Sequence, residues 1–281
     1  MRIFKVNKKA GGPVDQISFS SFNFFAGEVQ VRIDPIEHFD TDQEVIMIEA
    51  FLRSSDDIFR LLLVTDALRR MLGEVSISVS LPYLPYGRQD RVCYPGEALS
   101  LAVMASLLNA QRYDSVVLFD PHSPKAAELI ERVRIVDSLE YVRQVIRNWQ
   151  AKGAQRIVLV SPDKGAREKV DRIGAALCLE VLHADKKRNP KDGQIEGMTL
   201  DRQPAEFAGF GEACFLVVDD LCEGGRTFIE LAKVIGVPKE RMGLYVTHGL
   251  FSKGVEPLKP YFGEIFSLFP WNADEKGVQR V

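Results

Sequence analysis

The residues best suited to chemistry stand in one run, Phe215-Leu216-Val217-Val218-Asp219-Asp220-Leu221-Cys222-Glu223-Gly224-Gly225-Arg226-Thr227. Four apolar residues lead into two adjacent carboxylates, then a glycine pair, then a helical pattern. Backbone N–H groups exposed at such a turn and helix start attract anions, and the acids can hold ribose hydroxyls or a hydrated magnesium ion. An acidic helix cap followed by a glycine turn is the plainer reading of the same residues. Paired aspartates placed directly after a buried run favour the site. Cys222, inside the run, reads as small apolar filler.

Other clusters carry weaker signals. Lys186-Lys187-Arg188 with Lys191 is a dense basic group of a size that suits a phosphate ligand, with a solvated basic loop as the alternative. Arg88-Gln89-Asp90 can hold a nucleotide by hydrogen bonds or form a surface turn after a strand. Two segments echo each other: Val117-Leu118-Phe119-Asp120-Pro121-His122 and Leu159-Val160-Ser161-Pro162-Asp163. Each is a strand pattern ending in a proline followed by His or Asp. Ligands of open α/β sheets bind outside the carboxyl ends of the strands, so both echoes set polar residues where a site belongs. Ordinary strand-to-helix punctuation would look the same. A lone histidine after a proline is more often structural than a ligand, and Asp120 beside His122 counts the other way. His38 and His183 have no such company and read as structural.

The elements that must position these residues alternate in type. Strands are expected at Val45–Ile48, Val75–Leu81, Ser115–Phe119, Arg156–Val160, Cys214–Val218 and Met242–Thr247. Helices are expected at Asp56–Leu72, Glu97–Ala110, Leu139–Trp149 and Thr227–Ile235. Several strands are apolar almost throughout, as in parallel sheets covered on both faces. The pattern predicts an α/β fold with right-handed crossovers. The N-terminal forty residues are richer in strand-like pieces such as Val29–Ile33, which suits an appended hairpin or flag. The domain boundary is placed near residue 139, giving domains 1–139 and 140–281.

The run Phe215–Thr227 resembles the ribose-phosphate loop shared by phosphoribosyltransferases and ribose-phosphate pyrophosphokinases (PRPP synthetases). The rest of the chain separates the two. Leu81-Pro82-Tyr83-Leu84-Pro85-Tyr86-Gly87-Arg88-Gln89-Asp90-Arg91 resembles the pyrophosphokinase stretch that meets ATP. Phe119-Asp120-Pro121-His122 resembles its Asp-x-His element at the metal and nucleotide site, and Val160-Ser161-Pro162-Asp163-Lys164-Gly165-Ala166 its Ser-Pro-Asp loop. Asp185-Lys186-Lys187-Arg188 resembles the mobile catalytic loop, and Thr247-His248-Gly249 a later Thr-His-Gly element in which His248 supports the site. Phe24 to Glu28 resembles the segment that reaches a neighbouring subunit's ATP. These matches run in family order from about residue 24 to 252.

The resemblance implies two phosphoribosyltransferase-like domains, each a mainly parallel sheet flanked by helices. It implies transfer of the β,γ-diphosphate of MgATP to the 1-hydroxyl of a 5-phosphorylated ribose, with AMP released. Lys186 and Arg188 would be catalytic. Phe24, Glu28, Arg88, Gln89, Asp90 and His122 would bind ATP. Asp163, Asp219, Asp220, Glu223, Gly224, Gly225, Arg226 and Thr227 would bind the ribose phosphate. Asp120, His122 and Asp163 would serve Mg²⁺. A homo-oligomer sharing its ATP sites is implied through Phe24 and Glu28. Such chemistry needs positioning and neutralised phosphate charge rather than a covalent intermediate. Arg supplies a bidentate fork and Lys a mobile point charge, here on a loop that closes over the phosphates and excludes water.

The departures bear on the acceptor. Family members acting on ribose 5-phosphate usually carry Asp-Thr-Ala/Gly-Gly-Thr after the acids; this chain has Glu223-Gly224-Gly225-Arg226-Thr227. A lost hydroxyl opens space, and Arg226 adds a forked cation suited to a larger or more highly charged phosphate group. Some proteins resembling the family act on ADP-ribose, so ADP-ribose and ribose 5-phosphate stand as acceptors, with the loop leaning to ADP-ribose. Val92-Cys93-Tyr94-Pro95-Gly96-Glu97 replaces the family's further basic residues, Ala26 replaces its usual Asp or Asn, and the tail is shorter. A phosphoribosyltransferase and a non-catalytic regulatory subunit of the same fold are the rival readings.

The composition is compatible with an enzyme of this kind. The chain has 281 residues, net charge −3, 46% hydrophobic and 27% charged residues, and a pI near 5.9. That balance builds a real core and lacks the basic stripe of a nucleic-acid binder. Cys93, Cys178, Cys214 and Cys222 have neither zinc-finger nor C-x-x-C spacing. No charged-then-apolar leader and no membrane-length apolar run is present, so a cytoplasmic enzyme is the default expectation.

Overall fold

The computed structural model describes all residues except 10–11, 189–194, 208 and 273–274, and it does not describe the side chains of Val14, Lys187, Arg188, Ile195 and Glu196. The chain folds as two units, Met1–Val136 and Asp137–Val281.

The first unit contains β1 (Arg2–Asn7), β2 (Pro13–Ile17), β3 (Phe19–Asn23), β4 (Val29–Ile33), β5 (Glu44–Glu49), α1 (Ser55–Leu72), β6 (Ile77–Leu81), α2 (Ser100–Ala110), β7 (Ser115–Phe119), α3 (Lys125–Leu129) and β8 (Val133–Val136). Its six-stranded sheet runs β2-β1-β5-β6-β7-β8. β1 is antiparallel to both neighbours, and from β5 onward every pairing is parallel. Parallel neighbours need crossovers, and α1, α2 and α3 supply them. The core joins Ile46, Ile48, Val79, Leu81, Val116 and Leu118 of the sheet to Leu61, Leu68, Met104 and Leu108 of α1 and α2. α1 starts where Ser54 Oγ accepts the Asp57 N–H at 3.2 Å, a side-chain cap. β3 and β4 form a separate antiparallel hairpin. Only this part of the N-terminal strand-rich region is an appended flag, because β1 and β2 join the main sheet. Arg60 Nε donates to Ser21 Oγ at 2.7 Å and Asn23 Nδ2 to Asp56 Oδ2 at 3.1 Å, fastening the hairpin to α1.

The second unit contains α4 (Leu139–Ala151), β9 (Arg156–Ser161), α5 (Arg167–Leu177), β10 (Val181–Arg188), β11 (Ile195–Leu200), β12 (Ala213–Cys222), α6 (Arg226–Ile235), β13 (Met242–Gly249), β14 (Glu264–Pro270) and β15 (Gln279–Arg280). The sheet order is β11-β10-β9-β12-β13-β14-β15, parallel except for β11. Period-2 alternation along β12 splits the core. Phe215 and Val217 meet Phe228 and Leu231 of α6 on one face. Leu216 and Val218 meet Val145 and Trp149 of α4 on the other. A strand apolar on both faces is what a helix-covered parallel sheet requires.

Two expectations change. The acids Asp219 and Asp220 lie within β12 rather than beyond it, since the strand continues to Cys222. Asp185 to Arg188, expected on a closing loop, are strand residues of β10, with Asp185 opposite Thr199 and Lys186 opposite Met198 of β11. Backbone pairing with β11 overrides a locally charged, loop-like composition. Asn189, Pro190, Lys191, Asp192 and Gly193 of that expected loop lie outside the described residues.

Candidate active site

In the first unit, two motifs meet at the carboxyl ends of the adjacent parallel strands β6 and β7. Asp90 lies in the segment after β6, and Ser123 and Lys125 follow β7. Ser123 Oγ donates to Asp90 Oδ2 at 2.8 Å, and Lys125 Nζ to the Asp90 carbonyl at 2.9 Å. Burial works against the Asp90 charge, but Ser123, Arg91 and Lys125 outweigh it and hold the carboxyl below its usual range. The Gln89 carbonyl accepts the Leu101 N–H at the start of α2, at 3.2 Å. The Gln89 and Arg88 side chains are exposed. Asp120 is buried and sits in the left-handed region at φ 41°, unusual for a non-glycine residue and found where surroundings force it. His122 is exposed two residues on.

The β3–β4 hairpin carries the remaining residues expected at ATP. Phe24 is exposed, and its ring packs edge-on against Phe22 with centroids 5.0 Å apart. The Phe24 N–H donates to the Glu28 carbonyl at 2.8 Å, closing the turn. The Glu28 side chain is exposed.

The second unit gathers its charges around the ends of β9, β10 and β12. β9 pairs with β12 only as far as Val160 and Val217, so Asp219 and Asp220 overhang it on that side. β9 then turns through Ser161-Pro162-Asp163. Ser161 Oγ donates to the Asp163 carbonyl at 2.9 Å, and the Ala166 N–H to Asp163 Oδ1 at 3.1 Å. From β10, Lys186 Nζ reaches Asp163 Oδ2 at 2.5 Å. Burial raises the Asp163 pKa, yet Lys186 and the turn amides prevail and lower it. Asp219 shows the opposite balance. Burial and the adjacent Asp220 charge push its pKa well up, Asp163 adds to this, and Lys169 of α5 opposes it. Arg188 lies on the same strand as Lys186, and its side chain is outside the described set.

After Cys222 the chain turns through Glu223 and Gly224 into α6. Gly225 caps the helix with φ 76°, and an added Cβ there would lie 3.0 Å from Leu258 Cδ2. Both constraints select glycine. Thr227 is half-buried, while Glu223 and Arg226 are exposed. Cys222 is fully buried and its thiol is pushed up to about 12 by burial, in keeping with a filler.

These donors suit a hard cation that arrives with phosphates. Among the described residues no three His, Cys, Asp or Glu side chains cluster as a ready-made metal cage. Mg²⁺ is usually held by one or two carboxylates together with substrate phosphates and water. Burial and then repulsion from Asp220 raise the Asp219 pKa, and a divalent cation, or hydroxyl donors, would relieve that repulsion.

Comparison with known proteins agrees along the chain. Residues 4–111 match the profile for the N-terminal domain of ribose phosphate pyrophosphokinase. The ribose-phosphate pyrophosphokinase of Pyrococcus furiosus is 28% identical over 249 residues, covering 88% of this chain and 82% of that protein. That of Pyrococcus abyssi is 29% identical over 231 residues, covering 81% and 75%. Over most of its length the chain is similar to ribose-phosphate pyrophosphokinases. The crystal structure of phosphoribosylpyrophosphate synthetase from Mycobacterium smegmatis matches at a TM-score of 0.75 and 19% identity, over 95% of this chain and 87% of that one. At that identity it supports the two-domain α/β fold expected of the family.

Sequence reading missed several residues around these motifs. Ser123 and Lys125 directly follow the Asp120–His122 motif, and their grip on Asp90 needs the fold to be seen. Lys169 had a local signal: it is a cation in the first turn of α5, where the helix dipole favours acids. His183 does have company. Its Nε2 lies 2.7 Å from Asp171 Oδ1 and its Nδ1 2.8 Å from Asp201 Oδ2. His248 is buried at the end of β13 and stacks on Phe269. No helix among the described residues is long and apolar enough to cross a membrane.

Proposed function

We propose that this chain transfers the β,γ-diphosphate of ATP to the 1-hydroxyl of a 5-phosphorylated ribose, releasing AMP. The observation that carries the reading is the cluster in the second unit. An acid pair, a glycine turn at a helix start and a lysine held by Asp163 stand at the carboxyl ends of adjacent parallel strands.

In this reading Asp219 and Asp220 hold the ribose hydroxyls, with Asp163 close by. The Glu223–Thr227 loop takes the 5-phosphate on the amides at the start of α6. Lys186 leaves Asp163 when triphosphate arrives and moves to the oxygens on which charge builds as AMP departs, and Arg188 follows it on β10. Arg88, Gln89, Asp90 and His122 position the nucleotide, and Phe24 and Glu28 complete the ATP site of a neighbouring copy. Asp120, His122 and Asp163 would serve Mg²⁺, which would neutralise phosphate charge. No covalent enzyme intermediate is needed, because positioning and charge neutralisation suffice for phosphoryl-type transfer.

The acceptor is ADP-ribose or ribose 5-phosphate, and the loop favours ADP-ribose. Arg226 is exposed at the first position of α6 and has no carboxylate partner among the described residues. Gly224 puts no side chain over the loop.

AMP release tests the reaction. Purified protein with MgATP should form AMP only when a ribose acceptor is present. Absence of AMP with either acceptor, together with consumption of PRPP when a base is supplied, would establish a phosphoribosyltransferase instead. Nucleotide binding with no turnover of either kind would point to a regulatory subunit.

A further inference from the structure

After β13 the chain makes a tight turn, Gly249 to Gly254, that is tied to the loop after β12. The N–H groups of Leu250 and Phe251 both donate to the Cys222 carbonyl, at 2.9 and 3.1 Å, and the Ser252 N–H donates to the Glu223 carbonyl at 2.9 Å. The Gly254 N–H closes the turn on the Phe251 carbonyl at 2.7 Å.

Phe251 holds a left-handed backbone at φ 43° and is buried. Its ring fills the space a side chain at position 249 would need, since an added Cβ there would lie 2.2 Å from Phe251 Cε2. A bulky residue keeps that conformation only where its surroundings over-determine it. The turn is therefore fixed to the Glu223–Gly225 loop. It sets two side chains over Gly224: a Cβ added to Gly224 would lie 3.8 Å from Lys253 Cε and 3.9 Å from Ser252 Oγ. Both residues are exposed, and Lys253 has no carboxylate partner among the described residues.

We propose that Lys253, seated with Ser252 over Gly224 by this turn, is an acceptor-specificity residue that binds the second phosphate of a ribose 5-diphosphate ester such as ADP-ribose. The inference rests on the reading of Glu223–Thr227 as the acceptor's 5-phosphate loop. A first phosphate there uses the amides at the start of α6. A second phosphate, joined to it, passes the side of the loop that Gly224 leaves open and meets a cation with no carboxylate partner among the described residues. An ammonium on a flexible stem suits a diphosphate of variable pose, and its hydrogen bond is charge-assisted. Ribose 5-phosphate ends before this position, so it gains nothing from Lys253.

Steady-state kinetics with saturating MgATP tests this on the full chain, comparing Lys253→Gln, Lys253→Arg and Asp220→Asn with the unmodified protein. Lys253→Gln keeps the stem over Gly224 and removes the charge. It should raise KM for ADP-ribose about tenfold or more, as for loss of a charge-assisted hydrogen bond, with kcat little changed. Its effect on KM for ribose 5-phosphate should stay below about threefold, and Lys253→Arg should retain most of the ADP-ribose affinity. Equal effects on the two acceptors, no effect on ADP-ribose, or turnover of ribose 5-phosphate alone by the unmodified protein would each overturn the inference. Asp220→Asn separates this from the reading beneath it. If it leaves KM unchanged for both acceptors, the site is not the acceptor site and that reading falls. If it raises both while Lys253→Gln does not discriminate, only the role of Lys253 is lost.

Discussion

Lys186 Nζ lies 2.5 Å from Asp163 Oδ2, tying strand β10 to the turn that follows β9. The side chains are 14% and 29% exposed, so solvent weakens the pair less than it would a surface bridge. Asp163 is anchored at its other oxygen by the Ala166 N–H. The lysine is thus held at Asp163, whose charge is felt by Asp219 of β12, instead of roaming in solvent. Lys186→Ala should lower kcat by roughly 10²–10³-fold, the scale for losing a charge partner of the transition state, with KM for the acceptor changing much less. Arg188→Ala should behave alike. Near-normal kcat in either variant, read from AMP formation, removes that residue from the mechanism.

Asp219 is the counterpart, a group held in an unfavourable state. Burial and Asp220 raise its folded pKa. A raised acid contributes stability below its unfolded pKa and loses it as pH rises through the folded value, so toward neutral pH burying this acid beside Asp220 costs stability. Asp219→Asn should therefore stabilise the ligand-free protein. A gain near 1 kcal/mol would raise Tm by about 2–4 °C. The same change should weaken ribose binding, the usual exchange of stability for function. Thermal melts beside acceptor KM values check both halves. A lower Tm with unchanged KM would contradict both.

The parts of this fold readable in the sequence are those whose burial leaves a local pattern. Ser115–Phe119 is predicted and found with the same bounds, and Leu139–Trp149 extends only to Ala151. The acid pair and glycine turn are legible because their residues are adjacent. β10 is not legible at its charged end, because Asp185-Lys186-Lys187-Arg188 becomes strand only through pairing with β11. The grip of Ser123 on Asp90 and of Phe251 on Gly249 depends on side chains that meet in space. Lys253 sits beyond a motif whose signal stops at Gly249, so nothing local ties it to Gly224.

His183 shows the same limit and yields a pH prediction. Burial opposes its proton, but Asp201 and Asp171 on either side of the ring outweigh that and raise its pKa above the usual histidine value. The unfolded chain lacks both partners. Stability from the clamp is therefore complete below the unfolded histidine value and is lost as pH rises through the folded one. Tm followed from about pH 5.5 to 8.5 should fall at the alkaline end in the unmodified protein and less so in His183→Asn. Superimposable pH profiles would show that the ring is not held protonated.

The hairpin tip bears on assembly. Phe22 and Phe24 are each about half exposed and Phe25 fully so, on a hairpin anchored to α1 through Ser21 and Asn23. Exposed aromatics of this kind cost little to the fold when truncated. Phe24→Ala should leave Tm within about 1 °C of the unmodified protein, as for a surface substitution, yet raise KM for ATP several-fold if a neighbour's site needs it. Sedimentation should show an oligomer under assay conditions. A monomer with full activity would exclude a shared ATP site.

Arg226 flanks the proposed acceptor loop from the helix side. It is the first residue of α6, directly after the left-handed Gly225, so its guanidinium starts from the end of the helix where anions already gather. A cation at a helix start opposes the helix dipole, and no carboxylate among the described residues offsets it. That local cost is understandable if an anionic ligand repays it. A ribose 5-phosphate already finds amides enough in the turn, whereas a 5-diphosphate ester carries further charge that a forked cation can bind. With MgATP saturating, kcat/KM for ADP-ribose should exceed that for ribose 5-phosphate. Arg226→Gly should narrow the ratio by about tenfold, the scale of one charge-assisted interaction, acting through KM for ADP-ribose. A clear preference for ribose 5-phosphate that Arg226→Gly leaves unchanged would end the ADP-ribose reading and leave ribose 5-phosphate as the acceptor.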